Sequence, residues 1–212
     1  MAQIQAYEIK DAVKTVTTKE IKRYTVENPE HEVVMMDFGY KAHILRHLLN
    51  RNCNVTVVPA HTTAEEILAI NPDGVMLTNG PGNPEENTEV IETLKKLIAA
   101  KMPMFGICLG HQLTALANGG KTMKLKYGHR GGNHPVKDLT TGNVFITSQN
   151  HNYIVADLPD TVEETFVNVN DGTCEGIRHK TLPIQSVQFH PEASPGPLDT
   201  GWLFDRFLKG VN

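Results

Sequence analysis

The chain has 212 residues, 40% of them apolar and 21% charged, which suffices for one sizeable hydrophobic core and is too little for two generous domains. A formal charge of -4 leaves no overall excess of lysine and arginine to neutralise phosphates, so nucleic acid is not expected as a principal partner. No apolar run approaches the ~20 residues that span a bilayer, and Met1-Ala2-Gln3-Ile4-Gln5 lacks a signal peptide's apolar stretch, so a cytoplasmic protein with no membrane partner is expected.

Residues 1–30 are polar and end at Asn28-Pro29-Glu30. They read as a linker or docking arm ahead of a folded domain at 31–212. Val33-Val34-Met35-Met36 predicts a strand closed by the turn Asp37-Phe38-Gly39, and Ala42 to Asn50 then places Ile44, Leu45, Leu48 and Leu49 at helical spacing. The pattern repeats: a strand at Val55-Thr56-Val57-Val58 closed by Pro59, then a helix from about Ala64, with Thr62 and Glu65 at capping-box spacing. Next come a strand at Val75-Met76-Leu77 and a helix from about Thr88 to Ala100. After Pro103, the run Met104-Phe105-Gly106-Ile107 leads to Cys108 and a helix through Ala117, stopped by Gly119-Gly120. Short buried strands alternating with helices predict an α/β fold with an open, mostly parallel sheet covered on both faces. Beyond it, strand-like stretches at Val144-Phe145-Ile146, Thr165-Phe166-Val167 and Ile184 to Phe189 predict a small additional antiparallel element. Trp202, Leu203, Phe204, Phe207 and Leu208 mark a C-terminal helix packed on the core.

Cys53, Cys108 and Cys174 are too few and too scattered for a disulfide framework, and their spacing matches no zinc site. That turns attention to single-thiol chemistry. Gly106-Ile107-Cys108-Leu109-Gly110 places a cysteine between two glycines where a predicted strand gives way to a helix, the spacing of a nucleophile elbow with sulfur in place of oxygen. Small neighbours are needed because side chains beside a strained nucleophile would strike the adjoining backbone. The helix N-terminus favours a thiolate and offers amides to an oxyanion. A free cysteine can equally be a small buried apolar residue, so further residues must decide. They come at His190-Pro191-Glu192, beyond a predicted strand: the histidine is placed to act as base, and Glu192 to hold one tautomer of its imidazole. Taken alone, His-Pro-Glu would be an ordinary surface turn. The order nucleophile, histidine, acid differs from the α/β-hydrolase order and disfavours an esterase.

With these residues assembled, the sequence resembles the class I glutamine amidotransferases. The resemblance is carried by Gly106-Ile107-Cys108-Leu109-Gly110-His111-Gln112, by His190-Pro191-Glu192, and by the glycine-rich loop Thr78-Asn79-Gly80-Pro81-Gly82-Asn83-Pro84. Within that family, Lys126 to Val136, Ser148-Gln149-Asn150-His151 and Pro191 to Pro197 are similar to the small-subunit branch of the carbamoyl phosphate synthetases, and the likeness runs from about Tyr7 to Leu208. It implies a flavodoxin-like glutaminase domain that hydrolyses glutamine and hands ammonia to a large synthetase subunit that binds ATP. It also implies that Gly80, Gly82, Leu109, Gln112, Asn150, Asn152 and Tyr153 surround the glutamine, with amides of the glycine loop and of Leu109 facing the oxyanion, and Gln112 and the Asn150 region reading the substrate's amino-acid end.

Two departures accompany the resemblance. That branch carries a further N-terminal domain contributing a serine to the pocket, and this chain starts near the linker that follows it, as a fragment or a naturally short form would. Glycine is usual where Asn152 stands, so a narrower pocket or an altered backbone is expected there. A docking or regulatory subunit of the same fold, and a cysteine hydrolase of another γ-glutamyl compound, remain alternatives. No cofactor or metal is expected: His43 and His47 have helical spacing without a third ligand, and neither Gly119-Gly120-Lys121 nor Gly131-Gly132 completes a phosphate-binding loop, which leaves ATP chemistry to another chain. Cys53 and Cys174 are expected to be structural.

Overall fold

The computed structural model describes residues 10–194 and 196–211. Most of the arm's first third and Pro195, part of one resemblance block, lie outside the described residues. Five strands run parallel in the order β3 (Cys53–Pro59), β2 (His31–Asp37), β4 (Gly74–Leu77), β5 (Met104–Ile107) and β10 (Ile184–Val187). Their sequences show why the sheet is covered on both sides. Along β2, Val33 and Met35 join the core formed with helices α2 (Ala42–Leu49) and α6 (Trp202–Leu208), while Val34 and Met36 join the opposite core. That second core is built with α3 (Ala64–Ala69), α4 (Thr88–Ala99) and α5 (Leu109–Ala117). Alternate side chains of a strand point to opposite faces, so a strand buried on both faces is apolar throughout. The capping box of α3 lies one residue later than the spacing of Thr62 suggests: Thr63 and Glu66 form it, and Thr62 is buried.

The expectation of a mostly parallel sheet with a small antiparallel addition is corrected by the second half. Strands β6 (Lys121–Asp138), β7 (Val144–Asp157), β8 (Val162–Asn168) and β9 (Cys174–His179) pair antiparallel, and since β8 also pairs with β9 they close on themselves like a small barrel. This half rivals the parallel one in size. It was hidden because β6 is polar, glycine-bearing and exposed along much of its length, with register shifts at 124–129 and 131–134, so no two-residue alternation survives to be read.

The described part of the arm lies on the domain itself. Helix α1 (Ala12–Val16) buries Ala12 and Val13, the Thr17 hydroxyl accepts from the Ala60 amide, and β1 (Lys22–Tyr24) pairs antiparallel with β3 at the sheet edge. Among the described residues no helix is long and apolar enough to cross a membrane.

Candidate active site

The carboxyl ends of β2, β4, β5 and β10 open on one cleft of about 380 Å³, walled on its far side by Asn150–Tyr153 of β7. Ligands of parallel α/β sheets bind beyond strand carboxyl ends because chain reversals there leave backbone groups free to face them. Cys108 sits between β5 and α5 with φ 54° and ψ -102°. A non-glycine residue in that region costs on the order of 1–3 kcal/mol and persists only where the surroundings enforce it. Here they do. The Cys108 amide donates to the Val187 carbonyl at 2.9 Å and the Gly110 amide to Thr78 at 3.1 Å. A Cβ on Gly106 would stand 2.7 Å from the Gly110 backbone, and one on Gly110 only 2.4 Å from the Leu77 carbonyl oxygen. Both elbow glycines are therefore demanded by close backbone approach.

The glycine-rich loop is similarly laced. Phe38 donates its amide to the Thr78 hydroxyl at 2.9 Å, and Asn79 accepts from the Lys41 amide at 3.1 Å while donating to the Gly39 carbonyl at 3.0 Å. The turns after β2 and β4 are thereby held as one unit beside the cysteine. Leu109 keeps its side chain in the core, and its amide, in the first turn of α5, has no partner within the helix.

His190 leaves β10 held by both halves of the molecule. Its amide donates to Ser148 at 2.9 Å, and the Gln188 amide donates to Glu175 at 2.8 Å. Nδ1 of His190 meets Glu192 Oε1 at 2.7 Å, and the ring lines the same cleft as Cys108. Burial opposes a charge on His190, but the Cys108 sulfur and the Glu192 carboxylate outweigh it and push its pKa up to about 9. Burial likewise works against the Glu192 anion, yet the His190 contact and the charge of Lys41 hold its carboxyl below the usual range. The arrangement can hold a thiolate beside an imidazolium and move a proton between sulfur and an incoming or departing group.

The structure gathers Cys108, His190, Gly80, Gly82, Gln112, Asn150, Asn152 and Tyr153 around the cleft, while Glu192 and the Leu109 side chain stand behind it. Gln112 spends its amide hydrogens on the Tyr153 carbonyl (2.7 Å) and Gln188 (2.9 Å), leaving its oxygen to accept from a ligand. Asn152 is bonded to the Arg130 guanidinium and is absent from the residues of left-handed backbone, so its side chain imposes no backbone strain. Cys53 and Cys174 are buried, and burial pushes the Cys53 thiol up to about 12 and raises that of Cys174 as well.

Asn79, Pro81 and His151, quoted from sequence only as members of motif blocks, also line the cleft, as does Lys41, which the sequence reading did not single out. Lys41 Nζ lies 3.2 Å from His190 Nδ1 and 3.6 Å from Glu192 Oε1. Its position just past the end of β2 was the available signal. His47 stacks on Phe204 with ring centres 4.5 Å apart, and His43 contacts Arg46 at 3.1 Å.

Residues 34–210 match the family model described as glutamine amidotransferase class-I. The chain is 54% identical over 207 residues to a carbamoyl phosphate synthase small chain of Clostridium perfringens, covering 98% of this chain and 58% of that protein. It is 55% identical over 201 residues to the small chain of Methanocaldococcus jannaschii, covering 94% of this chain and 56% of the other. The chain thus spans little more than half the length of these relatives. A crystal structure of a putative GMP synthase subunit from Thermoplasma acidophilum is similar with a TM-score of 0.74 at 25% identity, over 85% of this chain and 93% of that one. A glutamine amidotransferase from Thermotoga maritima shares the fold with a TM-score of 0.63 at 16% identity, over 85% and 86% of the two chains.

Proposed function

The chain belongs to the class I glutamine amidotransferases, and from that premise we propose that it hydrolyses glutamine to glutamate and ammonia for carbamoyl phosphate synthesis by an ATP-binding large subunit. The observation that carries the reading is the strained Cys108 elbow facing the buried His190–Glu192 pair. Cys108 Sγ attacks the carboxamide carbon, and the oxyanion that forms is met by amides of the Gly80–Gly82 loop and of Leu109. The C–N bond breaks as His190 protonates the departing ammonia, leaving a glutamyl thioester. His190 then takes a proton from water, the hydroxide attacks, the C–S bond breaks, and glutamate leaves with the thiol restored. Glu192 holds the ring, and the His190 contact together with Lys41 favours its anion. Gln112 Oε1, Asn150, Asn152 and Tyr153 face the amino-acid end of the substrate.

The strand order β3-β2-β4-β5-β10 supports a flavodoxin-like topology for the parallel half. We assign the glutaminase domain to residues 31–212 and the arm to 1–30, a division supported by the family match beginning at residue 34. The large-subunit partner is inferred from what the small-chain relatives are called, and a cytoplasmic site of action is part of the same proposal. The test is glutamate release by the purified chain, alone and with a carbamoyl phosphate synthetase large subunit. Cys108→Ala and Cys108→Ser are expected to abolish release, and Cys53→Ala and Cys174→Ala to keep it. Hydrolysis surviving loss of the Cys108 thiol would overturn the mechanism, while an inert native chain that still binds the large subunit would favour a docking role.

A further inference from the structure

Behind the β7 wall lies a buried cluster whose side chains perform no step of the proposed chemistry at Cys108. His129 on β6, His151 on β7 and Glu175 on β9 bring ligand atoms within 4.8 Å of one another, and all three residues are buried. The two rings are oriented by their outer nitrogens. His129 Nε2 meets Asp171 Oδ2 at 2.8 Å, and His151 Nδ1 meets the Tyr153 carbonyl at 2.9 Å. Both partners can only accept, so in the neutral rings the protons sit on these outer nitrogens. An ion entering the cluster would take the place of any proton shared with the Gln149 side-chain oxygen, and the lone pairs of His129 Nδ1 and His151 Nε2 would then face it. Metal-bound histidines are held in this way, with the outer N–H anchored on a carboxylate or a backbone carbonyl.

The inner nitrogens converge on one point. Gln149 Oε1 lies 3.0 Å from His129 Nδ1 and 2.9 Å from His151 Nε2, and Glu175 Oε1 lies 3.5 Å from His129 Nδ1. Donors placed about 2.0–2.1 Å from a tetrahedral zinc ion would stand roughly 3.3 Å apart. The observed separations bracket that value. Glu175 is 0% exposed, and its second oxygen has no hydrogen-bond partner, a costly state for a buried carboxylate oxygen. Asp171 and Glu175 together supply the two negative charges that one divalent cation balances. His151 also lines the cleft, which gives an ion a way in.

We propose that His129, His151, Glu175 and the Gln149 side-chain oxygen form a binding site for a divalent transition metal of the zinc class. Imidazole with carboxylate and amide oxygen suits zinc, and cobalt(II) can report on the same geometry. The proposal is independent of the glutamine reading and concerns a site apart from the Cys108 sulfur.

Because a thiolate beside His190 would itself take up zinc, the experiment uses the full chain carrying Cys108→Ser, titrated with cobalt(II) and then zinc(II). One equivalent of cobalt with the strong visible absorption of a tetrahedral site is expected, displaced by zinc, together with a zinc-dependent rise in Tm. Glu175→Gln is expected to weaken binding more than about 100-fold. Asp171→Asn, a partly exposed residue whose change spares the core, is expected to weaken it about 10- to 100-fold through the His129 ring. No stoichiometric cobalt binding by Cys108→Ser would overturn the site and leave the cluster as a hydrogen-bond network alone. So would affinity unchanged by Asp171→Asn, which decides the matter if Glu175→Gln fails to fold.

Discussion

The two halves of the sheet hold their parts of the cleft by different means. In the parallel half, backbone geometry does it: Cys108 is forced into its conformation by the contacts of Gly106 and Gly110 with neighbouring backbone, and the loops after β2 and β4 are tied through Thr78 and Asn79. In the antiparallel half, side chains do it. Asn150 to Tyr153 are held by Gln112 and His151, which both bond the Tyr153 carbonyl, and by Gln149, which bonds His151 in turn. The difference suggests a division of labour, with reacting atoms set by backbone and ligand contacts by an adjustable polar network.

The largest effect is expected from Glu192→Gln in the parallel half. Loss of the carboxylate that orients His190 should lower kcat on the order of 10³- to 10⁴-fold, about 4–5.5 kcal/mol, with KM for glutamine little changed. A KM effect of comparable size in steady-state kinetics would mean that the halves are not separable in this way.

A smaller effect concerns pH and stability. His190 has a folded pKa near 9 against an ordinary 6.5. Its contribution to stability is therefore fully present below about pH 6.5 and is lost as pH rises through 9. That loss should be on the order of 3 kcal/mol in urea titrations at the two ends of the window. In Cys108→Ala, where the sulfur that helps raise the pKa is gone, the pH dependence should shrink, and an unchanged profile would show that the sulfur is not what holds the proton.

The smallest effect is expected on the other side of the cleft. Gln149→Leu leaves the inner nitrogens of His129 and His151 without their shared partner and should raise KM for glutamine about tenfold, some 1.4 kcal/mol, while kcat stays within a few-fold. A fall in kcat at constant KM would break the division between the halves.

How much of the molecule could be read in advance follows the same line. Strands such as Val55 to Val58 and Met104 to Ile107 are buried on both faces and announce themselves as apolar runs, and Gly119, at φ +93°, marks the end of α5 as a helix-stopping glycine should. The cysteine elbow was legible because its glycines are sterically required. Of the antiparallel half only the stretches at 144–146 and 165–167, within β7 and β8, were legible; β6 was not, since Lys121 to Asp138 is mostly exposed and its bulges interrupt any alternation, and the stretch from Ile184, expected in the antiparallel element, pairs in parallel with β5. Helix α1 and strand β1 escaped for another reason: they are stabilised by long-range partners, Ala60, Asp37 and the edge of β3, that no local pattern announces. Lys41 was missed because its role depends on meeting His190 and Glu192 across 149 residues of sequence separation in the first case, which only the fold supplies.

The amide of His190 is bonded to Ser148 and that of Gln188 to Glu175, so the strand end that delivers the proposed base is stitched to the barrel-like half. Subglobal opening of that half would leave the nucleophile standing without its proton carrier. A chain caught midway through folding, or one loosened by heat, is thus chemically silent before it is fully unfolded. On the proposed mechanism turnover would act as a proofreader of completed assembly, with ammonia released only by molecules in which both halves have closed.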